Sequence, residues 1–352
     1  MGLFRYVFLR NASKVLEKLG IGCILDGLYP ALCMRRPDKD ASASIQQLLR
    51  QGLPSALRDE KRVPDWCIAQ YLSHRFDLLG SGWTDLNRPS VNTDTPEPDY
   101  YREIDWQRDY RSGYRFNSTQ PSRAILRSAI PDDVEIKAPW ELARLYHLPK
   151  LAFAALSGGG RDDFYVEYQN QVSDFIANNP VGYGVDWTCA MEVGIRAANI
   201  LLAYDLFTSV TPELVNVEFE QTLVRSMLEH GRFILLNLEK ARSADASGNH
   251  YLSDLCGLLF ISCYIETEET SEWKQFAINE LLREIDAQFF FDGGSAEGST
   301  AYHRLSAELS AYSIALMLRS GVSIPQSLQD KLYRIAEFMQ AVTKENGGIL
   351  QI

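Results

Sequence analysis

From Pro139 onwards, apolar residues recur at the three- and four-residue spacing of helices that bury one face. Trp140, Ala143, Leu145, Leu148 and Leu151 open this series. Pro139 ahead of them suits a first helical turn, where a missing amide hydrogen costs nothing. Further helices are predicted over 162–177 and 190–207, and from the cap-and-proline signal Thr211-Pro212-Glu213 to about 238. The pattern continues over 250–265, 271–290, 301–319 and 325–343. Strand-type alternation is almost absent here, so the region reads as all-α.

Loop lengths add organisation to this list. Short links join the helices in pairs, and longer glycine-bearing loops separate the pairs: 179–187, 243–248 and 292–299. Pair starts near 139, 190, 250 and 301 recur every ~50–60 positions, the period of stacked helical hairpins. Hairpins set alternately up and down around a ring would place every long loop on one rim. The expected fold is therefore an incomplete (α/α) toroid, with an open solenoid as the alternative.

The first part, residues 1–133, is less regular and reads as a wrapping segment with short helices, ahead of a toroid over 134–352. Helical patterns appear near 45–57 and 66–79. A turn-rich tract with Pro89, Pro96 and Pro98 follows, and then an aromatic run from Tyr100 to Trp106.

The chain has 352 residues, enough for one large core or two ordinary ones. Its formal net charge of −11 argues against general binding to a nucleic-acid backbone, which needs a basic face. A local basic cleft on an acidic protein can still receive an acidic sugar. The six cysteines form no CxxC pair and indicate neither a disulfide framework nor a zinc site. Arginines interrupt the short apolar run at the N-terminus, a poor match to a signal peptide. Glu17, Lys18 and Asp26 interrupt the stretch 16–32, so no transmembrane span is expected there.

Two polar clusters stand where loops run into helices: Asn249-His250-Tyr251 and Glu297-Gly298-Ser299-Thr300-Ala301-Tyr302-His303-Arg304. Asparagine is a favoured helix cap, but the adjacent His250 titrates near neutrality and would face the same rim. Arg304 and His303 beside Tyr302 would favour its phenolate. In the loop Gly182-Tyr183-Gly184-Val185-Asp186-Trp187, Tyr183 and Trp187 offer flat faces for sugar stacking, although Trp187 reads equally well as a core anchor. Glu192 with Arg196 and Glu141 with Arg144 have the spacing of intrahelical ion pairs. Gly158-Gly159-Gly160 reads as a hairpin turn. A metal bound by His250, Asp254 and His303 is disfavoured, and no metal ligands are assigned.

At these residues the chain resembles the heparinase II/III-like polysaccharide lyases. The likeness is a series of short matches in one order: 105–114, 137–145, 179–196, 249–252 and 292–304. It implies an (α/α) toroid and β-elimination on uronic-acid polysaccharides. By position, Asn249 matches the family's carboxylate-neutralising asparagine, His250 would assist as base or charge stabiliser, and Tyr302 matches the tyrosine that protonates the leaving oxygen. Tyr183, Trp187, Glu297, His303 and Arg304 are the expected substrate-binding positions. Family members usually continue into a C-terminal β-sandwich that often holds a metal. That domain is expected to be missing here, with no cofactor in this chain. The expected partner is an acidic polysaccharide or oligosaccharide, not nucleic acid. Location stays open, because the family commonly works outside the cytoplasm and no signal is visible. Two other readings remain: an inverting hydrolase using Asp186 with Glu297 or Asp292 as paired carboxylates, and a carbohydrate-binding protein without chemistry.

Overall fold

The computed structural model describes residues 28–34, 43–48, 63–89, 101–157, 161–241 and 247–345, with a few positions nearer the N-terminus. The glycine run at 158–160, the loop 242–246 and Cys23 lie outside the described residues.

The short N-terminal elements are α1 (Leu28–Cys33), α2 (Asp65–Leu72), β1 (Arg75–Asp77), β2 (Trp83–Asp85) and α3 (Ser122–Arg127). The helical series comprises α4 (Lys137–Ala143), α5 (His147–Leu156), α6 (Arg161–Asn178), α7 (Ala190–Val210), α8 (Val217–Asn237), α9 (Asn249–Tyr264), α10 (Glu268–Gln288), α11 (Thr300–Arg319) and α12 (Gln326–Val342).

Two expectations near the start need correction. The helix expected over 66–79 stops at Leu72, because His74 takes a left-handed backbone (φ 52°). Residues Arg75–Asp77 then pair antiparallel with Trp83–Asp85. The helix expected over 45–57 is absent at its start, where Ile45 bridges to Ile265, and the stretch from 49 lies outside the described residues. The single helix expected from Pro139 is also broken. Leu145 has φ 57°, which separates α4 from α5 and turns both Leu145 and Leu148 into the core.

The later helices agree closely with the apolar periodicity. Asn216 caps α8 by accepting from the amides of Glu218 and Phe219. Thr267 and Thr270 form a reciprocal capping box on α10. One refinement concerns burial. α7 and α9 are covered nearly all round, because each is sandwiched between neighbouring inner helices and an outer layer. α7 is apolar and long enough to cross a bilayer, yet 72% of that stretch is buried inside the protein, where its apolar surface forms core.

Side-chain contacts give the helix directions. Gly194, on the second turn of α7, backs onto Ser253 and Gly257 in the first half and middle of α9, and Tyr264 donates to Asp205 (2.9 Å) towards their ends. These two helices therefore run parallel. α9 and α11 do likewise: Asn249 meets Glu297 at one end, and Cys263 meets Ser320 (3.5 Å) at the other. The partners of these helices return antiparallel. On α8, His230 accepts from Arg196 (3.0 Å), whereas Glu220 meets Tyr204 (2.7 Å). On α10, Gln288 donates to the Gly248 carbonyl (3.0 Å), whereas Thr270 donates to that of Ile265 (2.6 Å).

The result is an all-α incomplete (α/α) toroid with parallel inner helices and a return layer outside. The starts of α7, α9 and α11, with the loops that feed them, form one rim. Residues from the first part, including Phe76, Leu86, Ile104 and Trp106, share one hydrophobic cluster with the toroid helices.

Candidate active site at the helical rim

Gly248 (φ 82°) ends the incoming loop and offers no side chain to cap α9. Glu297, from the loop before α11, takes over that function. Its carboxylate accepts from the Asn249 amide (2.5 Å) and from Asn249 Nδ2 (2.7 Å). This satisfies an otherwise unpartnered first-turn N–H and fixes the orientation of the asparagine side chain. Asn249 is nearly buried, and its Oδ1 has no partner among the described residues. One of the two amide hydrogens on Nδ2 remains available for another acceptor.

His250, next on α9, is half-exposed. Its Nδ1 lies 3.1 Å from Glu239 Oε1 and 4.0 Å from Cys189 Sγ. The hydrogen bond to Glu239 raises its pKa, burial opposes the rise, and the charges of Glu239, Glu192 and Glu297 reinforce it. His250 is thus biased towards the imidazolium. Glu239 itself is held from two sides: Met191 N–H donates to Oε2 (3.0 Å), and the Glu239 amide donates to Asp254 Oδ2 (2.7 Å). Burial, with Glu239 beside it, pushes the Cys189 thiol far above its ordinary range. Glu239, Gly248, Asn249, His250, Gln288 and Glu297 line an open mouth of about 580 Å³.

Tyr302 stands on the first turn of α11, 49% exposed. One turn on, Leu305 packs against the cluster of Cys189, Met191 and Ile195, so the start of α11 is joined to the start of α7. Arg304 points to a second cavity of about 410 Å³ between the inner helices, with Glu141, Tyr146, Lys150, Glu308 and Tyr312. Burial raises the carboxyl pKa values of Glu141 and Glu308, against the pull of nearby arginines that include Arg304.

Two expected site positions, His303 and Trp187, are placed differently, and a third, Tyr183, sits in a loop held closed. His303 is buried: Nε2 meets the Gly293 carbonyl (2.8 Å), Nδ1 faces Met339 (3.0 Å), and the ring packs on Phe289 and Phe338. It fastens the loop before α11 to α12 and does not reach the mouth. Trp187 is the core anchor of its two readings. It is 3% exposed, donates to the Asn179 carbonyl (3.0 Å), and packs against Phe233 and the Arg196 guanidinium. Tyr183 is only partly buried, but its loop is held closed by Gln107. That side chain donates to Asn179 (2.6 Å) and Asp186 (3.2 Å) and accepts from the Val185 amide (3.0 Å). Gly184 (φ 73°) lies so close to Gln107 that a Cβ would sit 2.8 Å from its amide.

Asp186 is fully buried in this loop, and burial holds its carboxyl well above the usual range against the opposing Arg196 charge. It cannot approach a sugar, which removes the paired-carboxylate reading built on it. Glu192 pairs with Arg144 (2.5 Å), not Arg196, whereas the expected Glu141–Arg144 pair is present at 2.8 Å. Arg196 instead donates to His230 and to the carbonyls of Ala143 and Asp186. Asp254 and His303 are each engaged away from His250. Sequence reasoning missed Cys189 and Glu239, which carry no local signal. Glu308 was findable, four residues past Arg304 on the same helix face.

The family model for the heparinase II/III N-terminus matches residues 87–345, and the chain belongs to that family. Among solved structures, a heparinase III is similar at 16% identity and a TM-score of 0.51, over 96% of this chain and 46% of that one. Heparan sulfate lyase HepC from Pedobacter heparinus is similar at 18% identity and a TM-score of 0.50, over 96% and 47%. This likeness shows the shared fold, and the chain spans a little under half the length of those lyases. No curated protein sequence matches it.

Proposed function

We propose that this chain is the helical part of a polysaccharide lyase that cleaves uronic-acid-containing glycans by β-elimination. The supporting observation is the Asn249–Glu297 contact, which ties both motif-bearing segments to one rim beside an open mouth. The C5 proton of a uronate is only weakly acidic, so elimination requires the neighbouring carboxylate to be neutralised and the enolate-like charge stabilised. Asn249 offers its remaining amide hydrogen, oriented by Glu297. His250, biased towards the imidazolium, serves better as a charge stabiliser than as the base. Tyr302, exposed at the same rim, gives its proton to the departing C4 oxygen. Tyr183 and Arg304 are left as substrate contacts, with Glu297 as a positioning residue.

The solved relatives include a heparan sulfate lyase, so heparan-type glycosaminoglycans head the list of substrates to try. The protein in its natural full-length context is incubated with a panel of uronate polysaccharides and followed by the ultraviolet absorbance of the C4–C5 unsaturated product. Tyr302→Phe is expected to abolish elimination and keep sugar binding within about 1 kcal/mol, since one hydroxyl is lost. Unsaturated product from no uronate polymer, or wild-type turnover in Tyr302→Phe, would overturn the reading.

A further inference from the structure

Cys189 lies just before α7, Glu239 just after α8, and His250 on the first turn of α9, yet their ligating atoms all fall within 4.8 Å of one another. A tetrahedral zinc ion at ordinary Zn–S, Zn–N and Zn–O lengths holds its ligand atoms roughly 3.4–3.6 Å apart. Taken through Glu239 Oε1, the oxygen not held by Met191, the edges found here are 4.0 Å from sulfur to His250 Nδ1, 4.0 Å from sulfur to Oε1 and 3.1 Å from Nδ1 to Oε1. The two sets differ by about half an ångström or less, within reach of small rotations of the half-exposed imidazole and the partly exposed Glu239 carboxylate.

We propose that Cys189, Glu239 and His250 form a three-ligand site for a zinc-class divalent cation, its fourth position open to the mouth. Thiolate, imidazole and carboxylate together suit a borderline metal ion better than magnesium or calcium, which prefer all-oxygen shells. The ligands are already oriented, since Met191 N–H holds the Glu239 carboxylate and Asp254 holds the Glu239 backbone. Surrounding charge favours a cation. Glu297 acts on His250, and Glu192, itself paired with Arg144, acts on both His250 and Cys189. The starts of α7 and α9 contribute only about half a positive charge each. On binding, the Cys189 thiol and His250 Nδ1 each lose a proton to solvent as the metal–sulfur and metal–nitrogen bonds form, and a metal–oxygen bond to Glu239 replaces the Glu239–His250 hydrogen bond.

A cation here would also change what the mouth accepts. Its lining includes Glu239 and Glu297 but, among the described residues, no lysine or arginine. Thiolate and carboxylate balance the charge of the ion, and the open coordination position would offer an incoming carboxylate a Lewis-acid centre in place of the bare Glu239 carboxylate. This last role rests on the lyase reading; the site itself does not.

The test is titration of the reduced protein with cobalt(II), then zinc. One equivalent of cobalt should bind with a thiolate-to-cobalt charge-transfer band and tetrahedral-type visible bands, and zinc should displace it. Cys189→Ser should lose the charge-transfer band. His250→Gln and Glu239→Gln should each weaken zinc binding by at least the roughly 10-fold that loss of even an outer-shell partner costs. Circular dichroism confirms folding of each variant, and Glu239→Gln, whose amide oxygen can still accept from Met191, remains decisive if Cys189→Ser does not fold. Absence of the band in the wild type at saturating cobalt, its persistence in Cys189→Ser, or unchanged zinc affinity in Glu239→Gln would overturn the proposal. No readout depends on elimination, so the metal site and the lyase reading can fail separately.

Discussion

Removal of the Glu297 carboxylate should loosen the start of α9 by a measurable amount. Glu297 accepts two hydrogen bonds from Asn249, at 2.5 Å from the backbone amide and 2.7 Å from the side chain. Hydrogen bonds to a charged partner contribute about 1.5–3 kcal/mol each, and Asn249 is nearly buried. The open mouth lets water replace part of that loss, so the lower end applies. Glu297→Ala should then cost about 2–4 kcal/mol, and Glu297→Gln, which keeps one acceptor, about 1–2 kcal/mol. Urea unfolding of both variants measures this, with the midpoint moving at constant slope. A double-mutant cycle with Asn249→Ala isolates the side-chain bond and should return a coupling of about 1 kcal/mol or more. Stabilities within about 0.5 kcal/mol of wild type, the range of ordinary surface changes, would refute this account of how the rim is held.

Other perturbations probe the scaffold and the charges around it. Gly257→Ala would place a Cβ 2.4 Å from the Gly194 Cα, so α7 and α9 must separate. The variant should lose about 1–3 kcal/mol in chemical denaturation despite the better helix propensity of alanine. Because the folded-state pKa of His250 is raised, its stabilising effect is present below about pH 6.5 and disappears as pH rises through the folded value. His250→Gln should therefore melt below wild type in acid, and the gap should close in base; an equal gap at both ends would exclude the ion pair with Glu239. Trp187→Ala should destabilise by about 3–5 kcal/mol in urea unfolding, whereas Tyr183→Ala, at a partly exposed position, should cost far less.

How much of this was legible in the chain varies with the feature. The helices from α6 onward match the apolar periodicity to within about three residues, apart from the start of α8, because each buried face is written locally. The break at Leu145 was not legible, since an aliphatic residue gives no sign that it will adopt a left-handed backbone. The two motifs at the starts of α9 and α11 stood out by composition, but the fates of neighbouring residues did not. Tyr302 is exposed and His303 sealed, because successive helical positions point about 100° apart and only packing decides which one faces the core.

The amino-acid sequence by itself determined a series of helical hairpins with polar loops at regular intervals, since side-chain periodicity and turn residues act over a few positions. Tertiary structure alone decided what meets across those loops. Cys189, Glu239 and His250 converge because Gly194 and Gly257 let two parallel inner helices approach at backbone distance, which aligns their starts. Glu297 reaches Asn249 for a related reason: the next inner helix enters from the same side. Contacts of this kind depend on how faces pack, and no local pattern along the chain encodes them.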